Sequence, residues 1–130
     1  MEERRETKKI SSVRELEVYK LAFDTALEIY NISKKFPLDE RYALTDQIRR
    51  SSRSVCTNLA EAWRKRKYIA VFINKLSDAA QESAETQTWL EFSLSCNYID
   101  KNLFDKLDEH YEHIFAMLST MDKKANTFYK

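Results

Sequence analysis

Residues 44–67 read LTDQIRRSSRSVCTNLAEAWRKRK, and their periodicity decides the fold class. At about 100° per residue, Leu44, Ile48, Ser51, Ser52, Val55, Leu59, Ala62 and Trp63 fall on one side of a helix. Arg49, Arg50, Arg53, Thr57, Arg64 and Lys67 fall on the other, so the cations form one stripe. Arg49 and Arg53 stand at i,i+4, where like charges repel. Asp46 and Glu61, each one turn before a cation, offset only part of this charge. An apolar face backed by an arginine stripe points to a surface that meets a polyanion or a protein partner, and not to a reaction.

The rest of the composition agrees with a helical chain. With 130 residues, no glycine and a single proline, the sequence lacks the turn residues that hairpins, sandwiches and phosphate-cradling loops require. One domain is expected, long enough to bury its own core. The net charge of +1 conceals an asymmetry: residues 41–67 carry eight cations and two anions, whereas residues 68–97 carry one and four. Residues 41–67 are therefore basic and residues 68–97 acidic, which allows a bipolar surface despite a near-neutral total. No apolar run has the length of a membrane span, and the first twelve residues, MEERRETKKISS, have no signal-peptide core. A cytoplasmic protein is expected. Cys56 and Cys96 lack metal-binding spacing and read as reduced thiols near a core edge.

Residues 1–12 are nearly all polar and form a charged tail. A first helix is predicted over 13–36, ended by Pro37, and it carries two apolar seams. One seam is Leu16, Tyr19, Phe23, Ala26 and Tyr30; the other is Val18, Ala22, Ile29, Ile32 and Phe36, with Thr25 on its line. A monomeric bundle buries one seam easily but not both. The second seam, above all Val18, Ala22, Ile29 and Ile32, is therefore expected to meet another subunit. A wide core face in a thick monomer is the alternative. The second helix begins at Leu44 and ends near residues 64–67.

A third helix is predicted over 68–96 with core positions Ile69, Phe72, Leu76, Ala80, Ser83, Gln87, Leu90 and Leu94. Its outer face mixes acids with Trp89 and Phe92, a second candidate for subunit contact. Asn97 suits a left-handed helix end and Asp100 the cap of a fourth helix over 100–126. That helix has the seam Leu103, Leu107, His110, Ile114, Met117, Leu118 and Met121. Residues 127–130 form a C-terminal tail. Four amphipathic helices joined by short turns give an all-α, single-domain, antiparallel up-down-up-down four-helix bundle.

Chemistry finds little support in this pattern. Neither His110 nor His113 has glutamate three residues earlier, so the inward Glu-x-x-His pairs of a di-metal bundle are lacking, and no metal or cofactor is expected. His110, within the apolar seam, reads as a packed or hydrogen-bonded histidine. The pairs Glu82 and Glu85, and Glu109 and Glu112, lie on outer faces where nothing raises a pKa. Ser51, Ser52 and Ser54 read as small residues that let helices approach closely. Five or six clustered Arg and Lys suffice for phosphate contact but contain no base-reading code. The opposing account of the stripe is a solvated face that pairs with acids on the third helix or on another subunit. Tyr42 and Tyr68 flank the stripe's ends, where they either stack on unpaired bases or close the edge of the core.

The segment FPLDERYALTDQIRRSSRSVCTNLAEA, followed by ESAETQTWLEFSL, resembles the small bundle proteins encoded by intervening sequences in bacterial 23S rRNA genes. The specific matches are Phe36, Pro37, Tyr42, Leu44, Gln47 to Arg50, Ser54, Asn58 to Glu61 and Glu85. The resemblance implies an antiparallel four-helix bundle that assembles as a ring, commonly a pentamer. Related bundles serve retroelements as accessory proteins that bind nucleic acid and a reverse transcriptase. The chain departs from the family's pattern at Ala62, where glycine is usual. The resulting expectation is a non-enzymatic homo-oligomer without membrane contact. Arg49, Arg50, Arg53, Arg64 and Lys67 would meet RNA or DNA phosphates, and a scaffold for protein partners is the alternative.

Overall fold

The computed structural model describes residues 9–128, so residues 1–8 of the expected N-terminal tail and residues 129–130 lie outside the described part of the chain. Four helices account for most of it: α1 (Glu17–Ser33), α2 (Leu44–Arg64), α3 (Ile69–Ser95) and α4 (Lys101–Lys123). Cross-helix pairs fix their directions. Arg49 meets Ser33, and Arg53 meets Tyr30, so α2 runs against α1. Ser51 pairs with Thr86 and Glu61 with Lys75 between α2 and α3. Gln87 donates to Asp108 and Glu112 between α3 and α4, and α4 returns along α1 through Thr25 with His110 and Glu28 with Lys106. Sequential neighbours are antiparallel and α4 closes the ring onto α1, as expected of an up-down-up-down bundle.

The connections follow from local chemistry. A 3-10 turn, Val13–Glu15, precedes α1, capped by the Ser12 hydroxyl, and the extended backbone of Leu16 separates it from the helix proper. The first helix is thus shorter than the expected 13–36. Past Ser33 the chain tightens into i→i+3 bonds up to Phe36, whose backbone Pro37 restricts. The Glu40 carboxylate then accepts from the Leu44 N–H at the start of α2 and from the Tyr98 hydroxyl, tying that helix end to the α3–α4 turn. Asn97 adopts φ 64°, and the Asp100 side chain accepts from the Leu103 N–H at 2.8 Å, as the sequence predicts.

All eight residues assigned to the core face of α2 are buried. The first helix corrects the expectation. Val18, Ala22 and Ile29 are at most 2% exposed and form the chain's own core with Thr25 and Phe36, while Ile32 packs against that core. The seam left partly outside is the other one, in which Phe23 is exposed. The helix α3 also turns relative to the expectation. Its buried residues are Phe72, Leu76, Ala79, Ser83, Thr86, Leu90 and Ser93, whereas Ile69 is exposed and Ala80, Gln87 and Leu94 are half-buried. In α4 the seam is Leu107, Tyr111, Ile114, Leu118 and Met121 and continues to Ala125. These steps alternate four and three residues, the 3.5-residue period of helices that supercoil about one another. The last described residues are not a free tail either: Ala125 is buried, and Phe128 lies 5.4 Å from the Phe72 ring.

Polar groups complete the interior. Ser51 and Ser52 are fully buried where α2 meets α3, and the Thr86 hydroxyl donates to Ser51 at 2.8 Å. Close approach of the helices at small side chains places these hydroxyls in contact. The His110 Nδ1 lies 3.0 Å from the Thr25 hydroxyl, which accounts for a histidine at the edge of an apolar seam.

The two thiols differ. Cys56 is buried and its pKa is pushed up to about 12 by desolvation, while Cys96 is exposed. A thiol alkylator at pH 8 is expected to label Cys96 in the folded protein and Cys56 only after unfolding; comparable rates would contradict the burial. The folded pKa of Cys56 lies above the ordinary thiol value of about 8.5. Its contribution to stability is therefore complete below about pH 8.5 and is lost as pH rises toward the folded value.

Candidate nucleic-acid interface

Three of the predicted arginines converge. Arg49, Arg50 and Arg53, together with Arg41 from the turn before α2, line one shallow depression of about 560 Å³ floored by Thr45 and Ser54 and edged by Asp46 and Thr57. The Thr45 hydroxyl is buried there without a hydrogen-bond partner. Four guanidinium groups line the depression with one carboxylate, Asp46, and since among the described residues only Arg50 is paired with acids outside it, on α3, a positive excess remains. Arg41 is absent from the sequence-based site because it lies in a 3-10 connection, outside the helical period that collects the others.

The four arginines are not equivalent. The Arg49 Nε donates to the Ser33 hydroxyl at 2.8 Å and its Nη2 to the Tyr30 carbonyl at 3.4 Å, with the guanidinium 4.7 Å above the Tyr30 ring. Arg49 thus satisfies the Tyr30 carbonyl and the Ser33 hydroxyl at the C-terminal end of α1, where positive charge is also favoured by the helix dipole. Arg50 pairs with Glu82 at 3.3 Å and with Glu85, both on α3. The hydrogen bond to Glu85 is the chief reason its pKa rises further above the ordinary guanidinium value. Arg41 and Arg53 are exposed, and their guanidinium groups lie over aromatic rings, Tyr42 at 5.4 Å and Tyr30 at 5.5 Å. Among the described residues neither has an acidic partner.

Arg49→Ala is therefore expected to destabilise the fold by about 1–2 kcal/mol through the orphaned end of α1. Arg53→Ala should remain within about 0.5 kcal/mol. Thermal unfolding of the two variants checks this, and equal melting points would remove the structural role of Arg49.

Arg64 and Lys67 do not join the depression. Both are exposed at the far end of α2, and eleven residues of helix place Arg64 roughly 16 Å beyond Arg53. Arg66 folds back onto the helix, donating to the Trp63 carbonyl and stacking 4.0 Å over its ring. Lys65 and Lys67 approach Tyr68, which is exposed, as is Tyr42. Ala62 is fully buried in the core, and α2 ends two residues later at Arg64. Of the candidate subunit contacts on α3, Trp89 is half-buried and donates to Glu85, while Phe92 is 53% exposed and lies tilted against Trp89, with ring centroids 5.9 Å apart.

Among the described residues no helix is long and apolar enough to cross a membrane. Comparison with known proteins adds the lineage. The family model for the 23S rRNA-intervening sequence protein matches residues 14–120, the greater part of the chain. The chain belongs to this family.

A solved structure from Bacteroides thetaiotaomicron, described as a protein of unknown function from the S23 ribosomal protein family, is 29% identical to this family member. The match has a TM-score of 0.74 and covers 82% of this chain and 95% of that one. No curated protein matches this 23S rRNA-intervening sequence protein.

Proposed function

We propose that this 23S rRNA-intervening sequence protein is a non-enzymatic, cytoplasmic, homo-oligomeric helical bundle that binds RNA or DNA phosphates through the basic face of α2. The observation that carries the reading is the convergence of Arg41, Arg49, Arg50 and Arg53 on one open depression. The planar fork of each guanidinium suits phosphate oxygens, and phosphate contacts supply affinity without reading sequence. Self-association uses the outer face of α3 around Trp89 and Phe92. A ring such as a pentamer repeats the depression and adds modest patches through effective concentration.

The competing reading is a protein-interaction scaffold that binds no nucleic acid. It draws support from Arg49 and Arg50, whose guanidinium groups already have partners within the protomer. Gel filtration of nuclease-treated protein with a labelled structured RNA at low salt separates the two. Co-elution supports the nucleic-acid reading, and separate elution leaves the scaffold.

A further inference from the structure

Beside the arginine depression, on the other side of Arg53 and Thr57, lies a second groove of about 400 Å³ between α1 and α2. Its walls are Tyr19, Phe23, Leu27 and Tyr30, and Arg53 and Thr57 line both hollows. Phe23 is 45% and Leu27 49% exposed, unusual values for large apolar side chains of a core-facing helix. The Tyr19 and Phe23 rings stack at 5.9 Å with 24° between their planes, presenting a flat aromatic wall. Lys34, Arg49 and Arg53 all stand within 5.5 Å of the Tyr30 ring centre, so the Tyr30 wall of the groove, which Arg53 also lines, is both aromatic and cationic.

We infer that this groove receives an unpaired nucleobase whose flanking phosphate sits in the arginine depression, which makes single-stranded nucleic acid the substrate class of the site. The inference rests on the phosphate reading above. An aromatic platform contiguous with guanidinium groups is the arrangement that holds unpaired strands, because every base has a π face and every nucleotide a phosphate beside it. A paired duplex keeps its bases stacked inside and reaches only the depression. Charge complementarity favours this occupant over a second copy of the chain. Arg53 has no acidic partner among the described residues, and a nucleotide brings the anion it lacks together with a base for the aromatic wall beside it.

The test uses the full-length protein and three labelled strands of equal length: single-stranded RNA, its perfect duplex, and a strand whose central positions are abasic. Anisotropy at low salt is expected to show the intact single strand binding about 5- to 100-fold more tightly than the abasic one, the range of one stacked base. Phe23→Ala, and independently Leu27→Ser, should abolish that difference while leaving affinity for the abasic strand unchanged. A fluorescent purine at the central position should be quenched by the parent protein and not by either variant. Equal affinity for intact and abasic strands would overturn the base groove and leave the phosphate reading standing. Absence of binding to all three strands would overturn both. A change in oligomeric state on sedimentation of Phe23→Ala, with nucleic-acid binding unaltered, would assign the groove to subunit contact and overturn the inference.

Discussion

Reversing Arg41 and Arg53 together to glutamate is expected to weaken binding of RNA on the order of 100-fold at low salt, with no loss of helicity. These two are chosen because, among the described residues, their guanidinium groups lie over aromatic rings and have no acidic partner. Arg49 and Arg50 would be poor reporters, since Arg49 closes the end of α1 and Arg50 pairs with Glu82 and Glu85. A charge-assisted hydrogen bond contributes about 1.5–3 kcal/mol, and removing two of them at once gives the stated factor at the lower end of that range. The salt dependence should become shallower by about two in the logarithmic slope, one for each phosphate no longer neutralised. Anisotropy titrations of parent and variant, with far-ultraviolet circular dichroism as the folding control, provide the measurement. Unchanged affinity in a folded variant would exclude the depression from the binding site.

Ile29→Ala is expected to lower stability by about 2–5 kcal/mol, the range for a large buried aliphatic side chain cut to alanine. For a domain of this size that corresponds to a melting point lower by roughly 10 °C or more. The reason is that Ile29 is fully buried in the chain's own core with Val18 and Ala22. A residue packed mainly against another subunit would behave differently, weakening association and leaving the protomer's stability nearly intact. Calorimetry together with sedimentation distinguishes the two outcomes. A melting point within about 2 °C of the parent, accompanied by dissociation, would restore Ile29 to a subunit interface.

The sequence carries enough information for four helices because each has a run of apolar residues at helical spacing and an identifiable stop. Pro37, Asn97 and Asp100 act in the structure as their chemistry dictates. The core face of α2 is legible because its opposite side is charged and leaves one choice of orientation; only Thr45 and Cys56, buried at its edges, fall outside the eight residues assigned. The first helix has no such contrast. Two apolar seams run along it, and the true core seam contains Thr25 and Ser33, both buried, while the outer one contains the rings of Tyr19, Phe23 and Tyr30. The more aliphatic seam is the core, and both seams are apolar enough that either one could be taken for a surface covered by another subunit.

Along α3 and α4 the straight-helix period drifts against the 3.5-residue period of a supercoiled bundle. That drift exchanges Ala80, Gln87 and Leu94 for Ala79, Thr86 and Ser93, and it leaves Tyr111 out of the expected seam although it is fully buried. In the candidate site the arginines of α2 share one face by periodicity. Arg41 joins them only through the path of the connecting turn, and Arg64 and Lys67 are separated by the length of the helix, which an end-on projection ignores. The partners that occupy Arg49 and Arg50 come from α1 and α3, a tertiary fact with no signature in residues 44–67.

The measurement that bears most directly on the phosphate reading is the affinity of the parent protein for a labelled RNA containing an unpaired loop, recorded across a series of salt concentrations. With three or four arginines of one depression engaged, the logarithm of the association constant should fall linearly with the logarithm of salt, with a slope of about −2 to −3 per engaged protomer. Absence of binding at the lowest salt, or an affinity that salt does not change, would contradict a site that reads phosphate.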